Sequence, residues 1–148
     1  MRLPANQFCG IYNDTFKHLE SSFGKEAVLD IWHEISENYC KVLDGLITRH
    51  GPIEGSYIFW DTGFKNEGLD YEIKKGDDSL EIVVHNCVPI AWKKKHNVEN
   101  YRDYCEHCDA LYSPVLRKHG YKVSLVWDIG GVPGECKRRI TKFNKYGN

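Results

Sequence analysis

Residues 69–87, LDYEIKKGDDSLEIVVHNC, decide how this chain folds. Leu80, Ile82 and Val84 alternate with Glu81, Val83 and His85, the period-two pattern of a strand that buries one face. Gly76, Asp77 and Asp78 supply the turn that lets residues 69–75 pair back against it as a hairpin. Residues 121–143, YKVSLVWDIGGVPGECKRRITKF, repeat the design. There Tyr121, Val123, Leu125 and Trp127 alternate with polar residues, Gly130 to Gly134 turns the chain, and residues 135–143 return as a final strand.

Outward from the hairpins the period changes from two to nearly four. Phe8, Ile11, Tyr12, Phe16 and Leu19 space a first helix, with Pro4 suited to its opening turn. Residues 25–47 carry one continuous apolar stripe that predicts a single long helix, stopped by Gly51 and Pro52. Ile53, Tyr57, Trp60 and Phe64 predict a short helix. Val98, Tyr101, Cys105, Cys108, Tyr112 and Val115 trace one face of a last helix that Pro114 can bend. The fold class expected is α+β: a four-stranded, mostly antiparallel sheet of two hairpins with helices on one face. At 148 residues this is one domain, residues 1–148, with a helical part over about 5–65 and the sheet and long helix over about 66–145.

Lys and Arg number 20 against 21 Asp and Glu, so a nucleic-acid partner is not expected. No apolar run reaches the roughly 20 residues of a membrane span, and the opening MRLPANQFCG lacks a signal peptide's apolar stretch. The expected setting is cytoplasmic, without membrane contact. Six cysteines are numerous for such a chain and are not spread like a secreted disulfide framework.

Cys87 ends a strand two residues after His85, which by alternation puts both on one face. Cys105 and Cys108 lie on the packed stripe of the last helix, and Asp109 follows Cys105 by four, within reach of that thiol. Cys136 opens the final strand with Arg138 two residues on. A thiol beside a carboxylate or imidazole is a nucleophile and proton carrier; a buried guanidinium suits a substrate carboxylate. Each thiol can instead fill core space, and Cys9 and Cys40 are assigned to packing. Metal binding competes: Cys87, Cys105, His107, Cys108 and Cys136 are donors suited to zinc or an iron-sulfur cluster, although a single Cys-x-x-Cys inside a helix is a weak signal. Lys93, Lys94 and Lys95 read as a solvated face, with steering of an anionic substrate as the alternative.

Taken together, VVHNC at 83–87, YCEHCD at 104–109 and GECKRRI at 134–140 resemble the family of L-2-amino-thiazoline-4-carboxylic acid hydrolases. The resemblance covers the second half of the chain and matches Cys87, Cys105, Asp109 and Cys136. Val88 intervenes before Pro89, and His107 and Cys108 are additions to the pattern. The resemblance implies a hydrolase acting on non-peptide carbon–nitrogen bonds, with no cofactor. It implies Cys105 as nucleophile, Asp109 or His85 as proton carrier, Cys136 or Cys87 as second thiol, and Arg138 with Cys108 against the substrate. The architecture also resembles vinyl-reductase and haem-NO-binding small-molecule domains, so a sensor using the same cysteines for zinc, iron-sulfur or haem iron stands as the alternative. The partner is a small molecule in either case; a second copy of the chain is left open.

Overall fold

The computed structural model describes residues 5–143. Four helices come first: α1 (Ala5–Phe23), α2 (Lys25–Tyr39), α3 (Lys41–His50) and α4 (Pro52–Glu67). The hairpin β1 (Asp70–Lys75) and β2 (Ser79–Asn86) follows, then α5 (Val88–Lys95), α6 (Glu106–Lys118), and the hairpin β3 (Tyr121–Trp127) and β4 (Cys136–Lys142). The fold is α+β. The expected domain end near residue 145 lies outside the described residues. Among them, no helix is long and apolar enough to cross a membrane.

The two hairpins join through β2 and β4, giving one antiparallel sheet in the order β1-β2-β4-β3. Leu80, Ile82 and Val84 of β2 are buried, and opposite them stand Ile140, Arg138 and Cys136 of β4. Leu125 and Trp127 of β3 continue the Arg138 and Cys136 rows. The alternation read from the sequence therefore selects the face on which α4 and α6 pack.

Three helical expectations change. The stripe over residues 25–47 is two helices, parted at Cys40, because α2 packs on α1 and α6 while α3 packs on α4. Tyr39 and Val42, read as part of that stripe, are exposed beside the break. The last helix begins at Glu106, not near Val98. Residues 98–105 are instead held as a loop against α1 by Asn13, whose Oδ1 accepts from the Tyr101 amide at 2.7 Å and whose Nδ2 donates to the Glu99 carbonyl at 2.9 Å. Lys25 adds an ion pair to Asp103 at 2.5 Å. Finally, Lys93 is not on a solvated face: α5 lies against α1 and turns this lysine inward, to 1% exposure.

Helices α3 and α4 approach closely at Gly55, where a Cβ would sit 2.6 Å from the backbone N and Cα of Ile47. Gly55→Ala should therefore cost about 2–3 kcal/mol, since backbone cannot yield as a side chain does. Gly63 on the same helix has nothing within 4 Å of its Cβ position, so Gly63→Ala should stabilise by up to about 1 kcal/mol through helix propensity. Urea midpoints moving the same way for both would contradict the close approach.

Candidate functional site

The loop entering α6, the first turn of α6 and the ends of both hairpins enclose one cavity of about 70 Å³. It gathers Cys87, Cys105, Cys108 and Cys136, with His107 and Arg138. All four thiols are half-buried and all six cysteines of the chain are free. The cavity is about half the roughly 150 Å³ that encloses benzene, so it takes one small group whole, and anything larger must project to solvent.

Each side chain arrives for a local reason. Cys136 and Arg138 share the inward face of β4 by alternation. Cys87 arrives differently: β2 ends at Asn86, and the chain turns into α5 with Cys87 as its N-cap, the Cys87 amide donating to the Gly134 carbonyl at 3.0 Å. Gly134 makes that turn possible, having φ 87° with Cys87 and Ile90 pressed against it. Cys105 is the N-cap of α6 rather than a face residue, and Cys108 sits one turn in.

His85 and Asp109 do not join the cluster. His85 is on the opposite side of β2 from the buried row, its Nδ1 3.4 Å from the Glu135 carboxylate. The expectation that it shares a face with Cys87 fails because alternation ceases where the strand ends. Asp109 lines a separate groove with Glu106, Leu29 and Trp127, and accepts a hydrogen bond from Ser113. Of the two carboxylates that line the cavity, Asp128 and Glu135, Asp128 is the one whose charge raises Cys105.

The thiols differ electrostatically. Burial pushes Cys87 up to about 12 and Cys105 to about 11, Asp128 and Cys108 adding to the latter. Cys136 is also raised by burial, which Arg138 only partly offsets. Cys108 goes the other way. Burial opposes its thiolate, yet His107 and Arg138, both hydrogen-bonded to the sulfur, outweigh burial and bring it down to about 7. His107 Nδ1 lies 2.7 Å from the Tyr104 carbonyl and 3.8 Å from the Cys108 sulfur. A carbonyl only accepts, so Nδ1 carries a proton and Nε2 is the ring atom free to gain or lose one. Burial would lower His107, but Cys108 and the Tyr104 carbonyl hold it above its ordinary value.

Arg138 is 6% exposed, with its guanidinium carbon 4.2 Å from the Trp60 ring centroid and 5.8 Å from that of Tyr112. Its Nε has no hydrogen-bond partner among the described residues. A buried donor left open in this way is costly unless something else fills it. Behind the cavity, Lys93 Nζ lies 2.9 Å from the centroid of Tyr104 and 3.5 Å from Asn13 Oδ1. Burial lowers Lys93 to about 8 despite the surrounding thiols. Cys9, assigned to packing by its sequence neighbours, hydrogen-bonds Tyr104 beside Lys93.

No family model and no curated protein matches this sequence. Among solved structures, an H-NOX protein from K. algicida in its Fe(II) unliganded form is similar at 15% identity and a TM-score of 0.44. The match covers 81% of this chain and 61% of that one, so the chain spans about three fifths of that protein's length. Of the expected metal donors, Cys87, Cys105, His107, Cys108 and Cys136 share the cavity walls, but among the described residues no three His, Cys, Asp or Glu side chains converge on a point that could hold an ion.

Sequence reasoning missed Tyr104, Lys93 and Asp128. Asp128 adopts φ 55°, a left-handed conformation, and leads into Gly130 and Gly131, so the run Asp128-Ile129-Gly130-Gly131 carried a signal for a turn that re-aims its side chains. For Lys93, followed by two exposed lysines, there was none.

Proposed function

We propose that the protein is a cysteine-dependent hydrolase that opens a small cyclic C=N bond in a carboxylated, thiazoline-like substrate. The observation that carries this reading is the Cys108 sulfur at the cavity wall, which His107 and Arg138 bring down to about 7. The nucleophile is thus Cys108 and not Cys105, whose thiol burial keeps protonated. Thiolates add readily to electrophilic C=N carbon. As the Cys108 sulfur adds, the C=N electron pair moves to nitrogen and takes the proton from His107. The ring bond from that carbon to its second heteroatom breaks with the electron pair leaving on that atom. Water adds to the carbon, returning one proton to His107 and its other to the leaving heteroatom, and as the new C=O forms the Cys108 sulfur departs with its pair as thiolate. The Arg138 guanidinium, which lines the cavity, holds the substrate carboxylate. Cavity size supports entry of the reacting C=N group with the rest of the ring at the mouth.

Brief iodoacetamide treatment with peptide mass mapping tests the nucleophile. Alkylation follows the thiolate fraction, so Cys108 labelling should rise with pH through about 7 and level off above it. At pH 6 it should exceed an ordinary thiol by about tenfold, after allowing for the lower intrinsic nucleophilicity of a less basic sulfur. Cys87 and Cys105 should stay unlabelled to pH 9. Equal, slow labelling of all six would reject the assignment.

A further inference from the structure

The hydrolytic reading leaves Cys105 without a task, although it stands next to the reactive thiol. As the N-cap of α6, Cys105 already has helical backbone angles, φ −71° and ψ −22°. Helical rise and radius then place its Cα about 5 Å from that of Cys108, inside the span of about 4.4–6.8 Å that disulfides bridge. Cβ atoms three apart on a helix are about 5–6 Å apart, wider than a relaxed disulfide needs. A bond between them therefore requires side-chain rotation and a small tightening of the first turn, which makes it easily reduced. Both thiols are half-buried and line one cavity, so a reagent that reaches either meets both.

A second feature points to an incoming reagent. Arg138, nine-tenths buried, lines the same cavity, donates to the Cys108 sulfur and keeps its Nε–H unpartnered. It favours the anionic form of Cys108, and its positive charge on the cavity wall attracts an anionic group on whatever enters. Burial, with Cys108 and Asp128 adding to it, disfavours charge on Cys105, so one sulfur is ready to attack while the other holds its proton.

We propose that Cys105 and Cys108 are a redox-active dithiol, oxidised to an intramolecular disulfide by exchange with a small anionic disulfide. The Cys108 thiolate attacks one sulfur of RSSR, forming a Cys108–SR bond as the RS–SR bond breaks and RS⁻ leaves with the electron pair. Cys105 gives its proton to that RS⁻, and its sulfur attacks the Cys108 sulfur, expelling a second RS⁻. This second thiolate takes the proton that His107 holds for Cys108. Two protein thiols have lost two electrons, and RSSR has become two RSH. While the bond persists the Cys108 thiolate is absent, so any chemistry it performs stops until reduction. The exchange is read without a hydrolysable substrate, and either activity can fail while the other stands.

The test is incubation of the reduced full chain with oxidised glutathione at pH 7, alkylation of remaining thiols, and tryptic mapping. Cleavage after Arg102 and Arg117 puts Cys105 and Cys108 in one peptide, apart from those holding Cys87 and Cys136. The expected product is the 103–117 peptide lighter by two hydrogens, unalkylated, and restored by dithiothreitol. Cys105→Ser should stop at a persistent glutathione adduct on Cys108. Cys108→Ser should slow the first exchange at Cys105 on the order of a hundredfold, the thiolate deficit being only partly offset by the greater nucleophilicity of a more basic sulfur. A bond from Cys108 to the Cys87 or Cys136 peptide, or an adduct on Cys108 that Cys105 never resolves, would overturn the proposal, as would unchanged thiols.

Discussion

Cys108→Ser is expected to lower turnover of a carboxylated thiazoline by a thousandfold or more while moving Tm by no more than a few degrees. The size follows from the sulfur's environment. His107 and Arg138 bring a thiol to about 7, but the same two cations cannot bring a serine hydroxyl into the physiological range, so the variant has no anion to attack with. Cys105→Ser, one turn away, should reduce turnover less than tenfold under reducing conditions, because that thiol stays protonated with a value near 11. Rates of product release measured across pH 6–9 separate the two. Wild-type turnover should rise through about pH 7 as Cys108 ionises, and Cys105→Ser should keep that profile. A collapse of activity in Cys105→Ser with little change in Cys108→Ser would return the nucleophile to Cys105.

The sheet was legible because its information is local: alternation in β2 and β4 with glycine turns between the strands fixes which side chains face the helices, and Cys136 and Arg138 follow from it. One thiol and the arginine of the cavity were accessible to that reasoning. What failed was reasoning that carried a period past the end of its element. Alternation extended to Cys87 pairs it with His85, but the strand stops at Asn86 and the chain turns. Helical spacing extended back to Val98 makes Cys105 a face residue and brings Asp109 to it, but Asn13, 88 residues from Tyr101, claims that segment as a loop. Lys93 shows the remaining gap. Its burial depends on α5 docking on α1, a long-range event that the first lysine of a run of three cannot announce. The low value of Cys108 likewise arises from a sheet arginine and a helix histidine meeting through tertiary packing, so the sequence, which ranked Cys105 first by its spacing to Asp109 and the family resemblance, held no signal for Cys108.

Trp60→Ala is expected to be the most damaging single substitution for stability, at about 3–5 kcal/mol, and to disable the thiol from a distance. Trp60 is 5% exposed on α4, packed edge-on against Tyr112 at 4.6 Å between centroids and against Phe59 at 4.8 Å. Its ring also carries the Arg138 guanidinium. A buried cation stacked on an aromatic face gains on the order of 2 kcal/mol there, and without the ring it loses both that attraction and its fixed position. Arg138 then relaxes away from Cys108, the thiol moves back towards 9.0, and iodoacetamide labelling at pH 7 should slow about fivefold or more in the fraction that remains folded. Trp60→Phe is the discriminating control. It keeps an aromatic face under Arg138 and removes an indole N–H that has no partner among the described residues, so labelling should hold while stability falls by only about 1–2 kcal/mol. Arg138→Met removes the cation directly, and the double variant with Trp60→Ala should label no more slowly than Arg138→Met alone, because the tryptophan acts on the thiol only through the arginine. Additive slowing in the double variant would mean that Trp60 acts on Cys108 by another route, and the stacked arginine would no longer account for the thiolate.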